Sequence, residues 1–225
     1  MRDASDIDAG SRPWAAGLDP AQRRAVMHGG GPLLIVAGAG TGKTRTLVAR
    51  LARLIDEGVA PERLLLVTFS RRAADEMTRR LGALVGAEAA RGVHAGTFHA
   101  VAHRLLRQHS AALGLGEGFS VLDQADAADL MHLARQEHTD GGDGASAGRR
   151  RFPSRDTLVS VYSRVVSSGR PLGDVLREHF PWAGEHEAAI GQVFASYTGR
   201  KRAQHLLDFD DLLLYWRAAV ADPVA

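Results

Sequence analysis

Eight consecutive residues constrain this chain more than any others: Ala37, Gly38, Ala39, Gly40, Thr41, Gly42, Lys43 and Thr44. Just ahead of them, Leu33 to Ala37 is a short apolar run bounded by glycines, the pattern of a buried parallel strand. Behind them, Leu47, Val48, Leu51, Leu54 and Ile55 fall on one face of a helix that starts near Gly42 and ends at Gly58 and Pro61. A glycine-rich turn between strand and helix lets the backbone wrap closely around an anion and aim N–H groups at its oxygens. The helix N-terminus adds partial positive charge at the same spot. Lys43 is placed to reach β- and γ-phosphates, and the Thr44 hydroxyl to ligate Mg²⁺. The general pattern opens on glycine, where this chain has Ala37. The plain alternative is a glycine-rich turn with no ligand; the Gly42-Lys43-Thr44 frame argues against it. Lys43 is also conspicuous because, of 28 basic residues, only Lys43 and Lys201 are lysines, a bias that GC-rich codon usage accounts for.

A helix is signalled upstream of the loop, and downstream of it the strand–helix pattern repeats. Asp19-Pro20 predicts a helix start, with Asp19 as N-cap and Pro20 at the first helical position, running to about His28. Leu64 to Phe69 predicts a strand, and Arg72 to Val85 a helix with Ala73, Ala74, Met77, Leu81 and Leu84 inward. Val93 to Gly96 predicts a third strand and Phe98 to Gln108 a helix. Alternating strands and helices imply a parallel sheet covered on both faces. After Gly114 the strand signals fade, apart from Phe119 to Leu122. Helices are predicted over Asp123 to Glu137, Ser154 to Ser168, His186 to His205 and Phe209 to Val220. Between the first two, a polar, glycine-rich stretch predicts a loop.

Composition narrows the class mainly by exclusion. The chain has no cysteine, which rules out disulfides, a thiolate nucleophile and cysteine-ligated zinc. Its longest apolar runs are too short to span a membrane, and residues 1–10 lack a signal-peptide layout. A cytoplasmic protein with no membrane partner is expected. A net charge of +2 says little about partners.

The motifs, taken together, are more specific than the loop alone. Ala37 to Thr44 resembles the nucleotide loop of superfamily 1 DNA helicases of the UvrD/Rep type. Leu18 to Gln22 resembles their Q motif, with Asp19 where asparagine is common. Val67 to Met77 resembles motif Ia, Gly96 to Ala100 motif Ib, and Leu207 to Leu213 the segment that leads the chain back into the first RecA-like domain. The resemblance covers about Leu18 to Val220, in the family's order. It implies an α/β fold: an incomplete P-loop RecA-like parallel sheet with an inserted all-helical subdomain. The implied division is a flexible tail at 1–16, a partial ATP-binding domain at 17–113 and 206–225, and a helical insertion at 114–205 with a flexible loop at 139–151.

The resemblance also implies roles. ATP with Mg²⁺ would sit on residues 37–44, with Gln22 reading adenine and Arg45 adding to the site. A carboxamide can donate to N7 and accept from the exocyclic N6 amine together, as glutamine does when it reads adenine in a groove. Exposed helix positions remain the bland alternatives for Gln22 and Arg45. Single-stranded DNA would run along Thr68, Phe69, Arg71, Arg72, Thr97, Phe98 and His99, through aromatic stacking and phosphate contacts; Arg71 and Arg72 stand where asparagine and lysine are usual. Core packing is the competing reading for Phe69 and Phe98. The partners implied are single-stranded and 3′-tailed duplex DNA, with the remaining C-terminal motor domains as a possible separate chain.

Two potential metal clusters read otherwise. Asp208, Asp210 and Asp211 suit the first turn of a helix, whose dipole favours acids. His99 and His103 lie one helical turn apart, but without the zinc-protease glutamate, since position 100 is alanine. The sequence shows no Walker B carboxylate pair or arginine finger, on which phosphoryl transfer depends. The expectation is therefore an ATP-binding, N-terminal portion of a 3′-to-5′ helicase that is inactive alone. The alternatives are a non-catalytic nucleotide- or DNA-binding module and a small-molecule P-loop kinase. The kinase leaves Gly96 to Ala100 and Asp208 to Leu213 unexplained.

Overall fold

A computed structural model describes residues 12–115, 118–138 and 151–221. The chain divides into two compact units, residues 1–101 and 102–225.

In the first unit, helix α1 (Pro20–Met27) starts as predicted. Asp19 Oδ1 accepts the Gln22 N–H at 2.8 Å, and Gln22 Oε1 accepts the Asp19 N–H at 3.1 Å. This reciprocal capping box satisfies two amides that the helix cannot satisfy itself. Helix α2 (Lys43–Asp56) follows the glycine loop. Strand β1 (Leu65–Thr68) leads to α3 (Arg71–Val85), α4 (Ala87–Gly92) and strand β2 (His94–Thr97). The strands pair in parallel, Leu65 opposite His94 through Thr68 opposite Thr97. Val48, Leu51, Leu66, Met77 and Leu81 form the core with Ala49 and Ala52.

Three expectations need correction here. Residues 12–16 are not a tail: Trp14 and Ala15 are buried, and the Trp14 indole donates to Asp56 Oδ2 at 3.2 Å. A tryptophan beside proline and alanines was the overlooked signal; Met1 to Ser11 lie outside the described residues. The inward face of α2 is rotated, since Leu47 is exposed while Ala49 and Ala52 are buried. Small side chains let α2 approach its neighbours closely, a cue that counting large apolar residues misses. Finally, Leu33 to Ala37 joins no ladder among the described residues, and Leu34 and Val36 are 86% and 88% exposed. A parallel strand is buried on both faces only where flanking strands and helices cover it, and the two-stranded sheet here does not reach it.

Helix α5 (Phe98–Gln108) carries the chain out of the first unit. In the second unit the order is β3 (Ser120–Val121), α6 (Gln124–His138), α7 (Arg155–Ser168), α8 (Leu172–His179), α9 (Glu187–Ala203), β4 (Leu206–Leu207) and α10 (Phe209–Ala221). No strand occurs among the described residues of 123–205, as the fading strand signals predict. Helix α8 was not anticipated; it is short and starts after Pro171. Met131, Leu158, Val161, Leu176, Ile190, Val193 and Tyr197 form one core. A separate cluster joins Ala102, Leu106, Leu115 and Phe119 to Leu207 and Leu212, and β3 pairs in parallel with β4. The expected loop at 139–151 falls, except for Arg151, outside the described residues. The chain as a whole is a mostly helical α/β protein with small parallel sheets.

Candidate nucleotide and nucleic-acid site

The loop takes its shape from two glycines. Gly40 and Gly42 have φ of +76° and +84°, a region costly for any residue with a Cβ. At Gly42 a Cβ would also lie 2.7 Å from Gln22 Nε2. Gly42 caps α2, so the amides of Lys43, Thr44 and Arg45 precede the first intrahelical bond, Thr46 N–H to Gly42 O at 2.9 Å. Those amides and the helix dipole are what an anion needs.

Lys43 is exposed and turns back on the loop, donating to Ala37 O at 2.8 Å and Gly38 O at 2.6 Å. Thr41 Oγ1 donates to Gly38 O at 2.8 Å. Gln22 Nε2 donates to Thr41 O at 2.9 Å, so Gln22 sits beside the loop although its oxygen is engaged at Asp19. Thr44 lies half-buried in the first turn of α2. Arg45 instead reaches Ala16 O at 2.6 Å and ties the N-terminal segment to α2.

The second group of predicted residues gathers at the C-terminal ends of β1 and β2. Parallel register sets Thr68 directly opposite Thr97. The next residues, Phe69 and Phe98, bring their ring centroids within 5.4 Å at 42°. Phe69 is 94% exposed and belongs to no core cluster among the described residues; Phe98 is half-buried. Arg71 and Arg72 are exposed in the first turn of α3, and His99 is exposed at the start of α5. Ser70 Oγ accepts the Ala73 N–H at 3.2 Å and fixes where α3 begins.

Sequence reasoning missed a buried polar cluster of the second unit. Lys201, 2% exposed, donates to Asp208 Oδ2 and Asp211 Oδ2, each at 2.6 Å. The Tyr197 hydroxyl donates to Asp208 Oδ2 at 2.9 Å. Asp208 and Asp211 also accept each other's amides at 2.9 and 3.0 Å, which caps α10. Burial opposes the Lys201 charge, but the two aspartates outweigh it and hold the ammonium above its ordinary pKa. Burial, reinforced by the Asp208 charge, pushes the Asp211 carboxyl up. Asp210 accepts from Ser163 Oγ at 3.0 Å. The first-turn reading of these acids therefore holds, with a buried cation added to it. The available signal was the second lysine of an arginine-rich chain, one helical turn after Tyr197.

The fold and these motifs define a mostly helical α/β protein with parallel strand pairs and a glycine loop at a helix start. Comparison with known proteins sharpens that class: the chain belongs to the UvrD/REP helicase N-terminal domain family, whose pattern matches residues 18–223. It is 35% identical over 202 residues to the ATP-dependent DNA helicase UvrD1 of Mycobacterium tuberculosis (strain ATCC 25618 / H37Rv), covering 88% of this chain and 25% of that protein. It is 32% identical over 205 residues to the ATP-dependent DNA helicase PcrA of Bacillus subtilis (strain 168), covering 91% and 26%. With the ATP-dependent DNA helicase UvrD2 of Mycobacterium bovis it shares 35% over 221 residues, covering 96% and 31%. The chain thus spans between a quarter and a third of the length of these relatives. No helix among the described residues is long and apolar enough to cross a membrane.

Proposed function

We propose that this chain binds ATP on residues 37–44 and single-stranded DNA on the aligned ends of β1 and β2, as the N-terminal part of a DNA helicase. The observation that carries the reading is the parallel register, which sets Thr68 opposite Thr97, with Phe69 exposed just beyond and Arg71 and Arg72 exposed at the start of α3. The loop fits phosphate on its own geometry: left-handed Gly40 and Gly42, a helix N-terminus, and Lys43 held by loop carbonyls that a phosphate can replace. Bound ATP supplies the free energy of phosphoryl transfer. Lys43 and the first amides of α2 would hold its phosphates. Gln22 would leave Asp19 and Thr41 to meet the adenine. Thr44 offers the nucleotide's Mg²⁺ one oxygen; among the described residues no cluster could hold a metal by itself. Phe69 and Phe98 would stack on bases, while Arg71, Arg72, Thr68, Thr97 and His99 contact the strand's phosphates.

The likeness of Leu207 to Leu213 to the family's return segment supports a second passage of the chain through the ATP-binding domain after 206. On that basis we read 17–113 and 206–225 as a RecA-like domain interrupted by a helical insertion. For the longer family member the proposed activity is ATP-driven 3′-to-5′ translocation on single-stranded or 3′-tailed DNA in repair or recombination, within the cytoplasm. Titration calorimetry tests the loop. Lys43→Ala should weaken ATP–Mg²⁺ binding by about 1.5–3 kcal/mol, and equal affinities for the two proteins would end the assignment.

A further inference from the structure

A cleft of about 520 Å³ opens in the second unit, lined by none of the residues assigned above. One wall is α6, with Arg135; another is the approach to α7, with Arg151, Phe152 and Arg155; the third is Trp182, in the turn at Pro181–His186. Trp182 is 39% exposed, although an indole is among the costliest side chains to leave in water. Its surroundings are fixed rather than loose. Arg135 Nε donates to Pro153 O at 3.1 Å, and its guanidinium lies 5.7 Å from the centre of the Phe152 ring. Phe152 packs edge-on against His186 with centroids 5.2 Å apart. Arg155 pairs with Asp129 and, at 3.7 Å, with Asp156, so both arginine walls are braced.

We infer that this cleft is a second contact for single-stranded DNA, in which a base stacks on Trp182 and the neighbouring phosphates meet Arg151 and Arg155. The inference rests on the DNA-binding reading of the family but uses none of the residues at the β1 and β2 ends. The chemistry selects the ligand. An exposed indole offers a stacking face that accepts any base. Guanidiniums supply paired donors matched to phosphate oxygens. The volume suits a nucleotide-sized group. An acidic peptide would use the arginines but leave the indole idle, and an apolar ligand would leave the arginines idle.

The test is anisotropy of a labelled oligothymidylate with the 225-residue chain, across a salt series. Three variants are compared: Trp182→Ala, Arg151→Gln and Phe69→Ala. Trp182→Ala should weaken binding roughly ten-fold. Arg151→Gln changes an exposed residue, so it guards against misfolding of the tryptophan variant; it should lower the salt slope by about 0.7. Unchanged affinity and slope in both cleft variants, with loss only in Phe69→Ala, would overturn the second contact and leave the first intact. No effect from any of the three would remove both. Thymidine monophosphate competing as well as the oligonucleotide would mark a free-nucleotide site and also overturn the proposal.

Discussion

The two lysines of this chain sit in opposite kinds of site. Lys43 is exposed, and its partners are neutral carbonyls of its own loop. Lys201 is buried between two carboxylates and two tyrosine rings. The first arrangement is cheap to open: a carbonyl can be exchanged for water or for a phosphate oxygen at little net cost. The second is closed, because removing either charge strands the other in a low-dielectric interior. Similar hydrogen-bond lengths therefore describe a site prepared for a ligand and a site that already contains its own.

Substitution should separate the two most sharply at position 201. Lys201→Met should destabilise the second unit by about 3–5 kcal/mol, since it leaves Asp208 and Asp211 facing each other. Chemical denaturation would read this, and a loss below 1 kcal/mol would refute the closed-site description. The same pair predicts a pH signature. Lys201 binds its proton more tightly folded than unfolded, so its contribution is full below the ordinary lysine range of about 10.4 and fades as pH climbs through the folded value. The gap in melting temperature between wild type and Lys201→Met should narrow on the alkaline side; a gap that widens there would reverse the sign. Next in size is Asp19→Ala, which removes one half of the α1 capping box and should cost about 1 kcal/mol. The smallest stability effect is expected for Lys43→Ala, within about 0.5 kcal/mol as for other exposed positions. A large loss there would mean the lysine braces the loop rather than waits for phosphate.

Much of this contrast could be read from the sequence on one side only. The loop announces itself because glycine and lysine spacing is local, and local geometry is what short motifs encode. The β1 and β2 ends were legible as separate motifs, but that Thr68 faces Thr97 follows from long-range register. The Lys201 cluster joins residues on α9 and α10 through a turn at Gln204 and His205, so no single periodic pattern displays it. Trp14 was missed for the same reason, its partner Asp56 lying 42 residues away. Leu33 to Ala37 shows the opposite error: apolar content and glycine boundaries describe a strand's composition, while pairing needs neighbours that composition cannot supply.

The parallel register between β1 and β2 also governs where the chain tolerates insertions. The whole crossover between the strands, α3 and α4 with the turn at Gly86, lies outside the ladder. An extra residue at that turn would be absorbed there without moving Thr68 or Thr97. An extra residue inside 65–68 would instead flip every later side chain of the strand to the opposite face. Phe69 would then point away from Phe98 while the strand itself survived. Length variation within such a chain should therefore be freely accepted at Gly86 and refused within 65–68 and 94–97, a pattern of gaps rather than of substitutions.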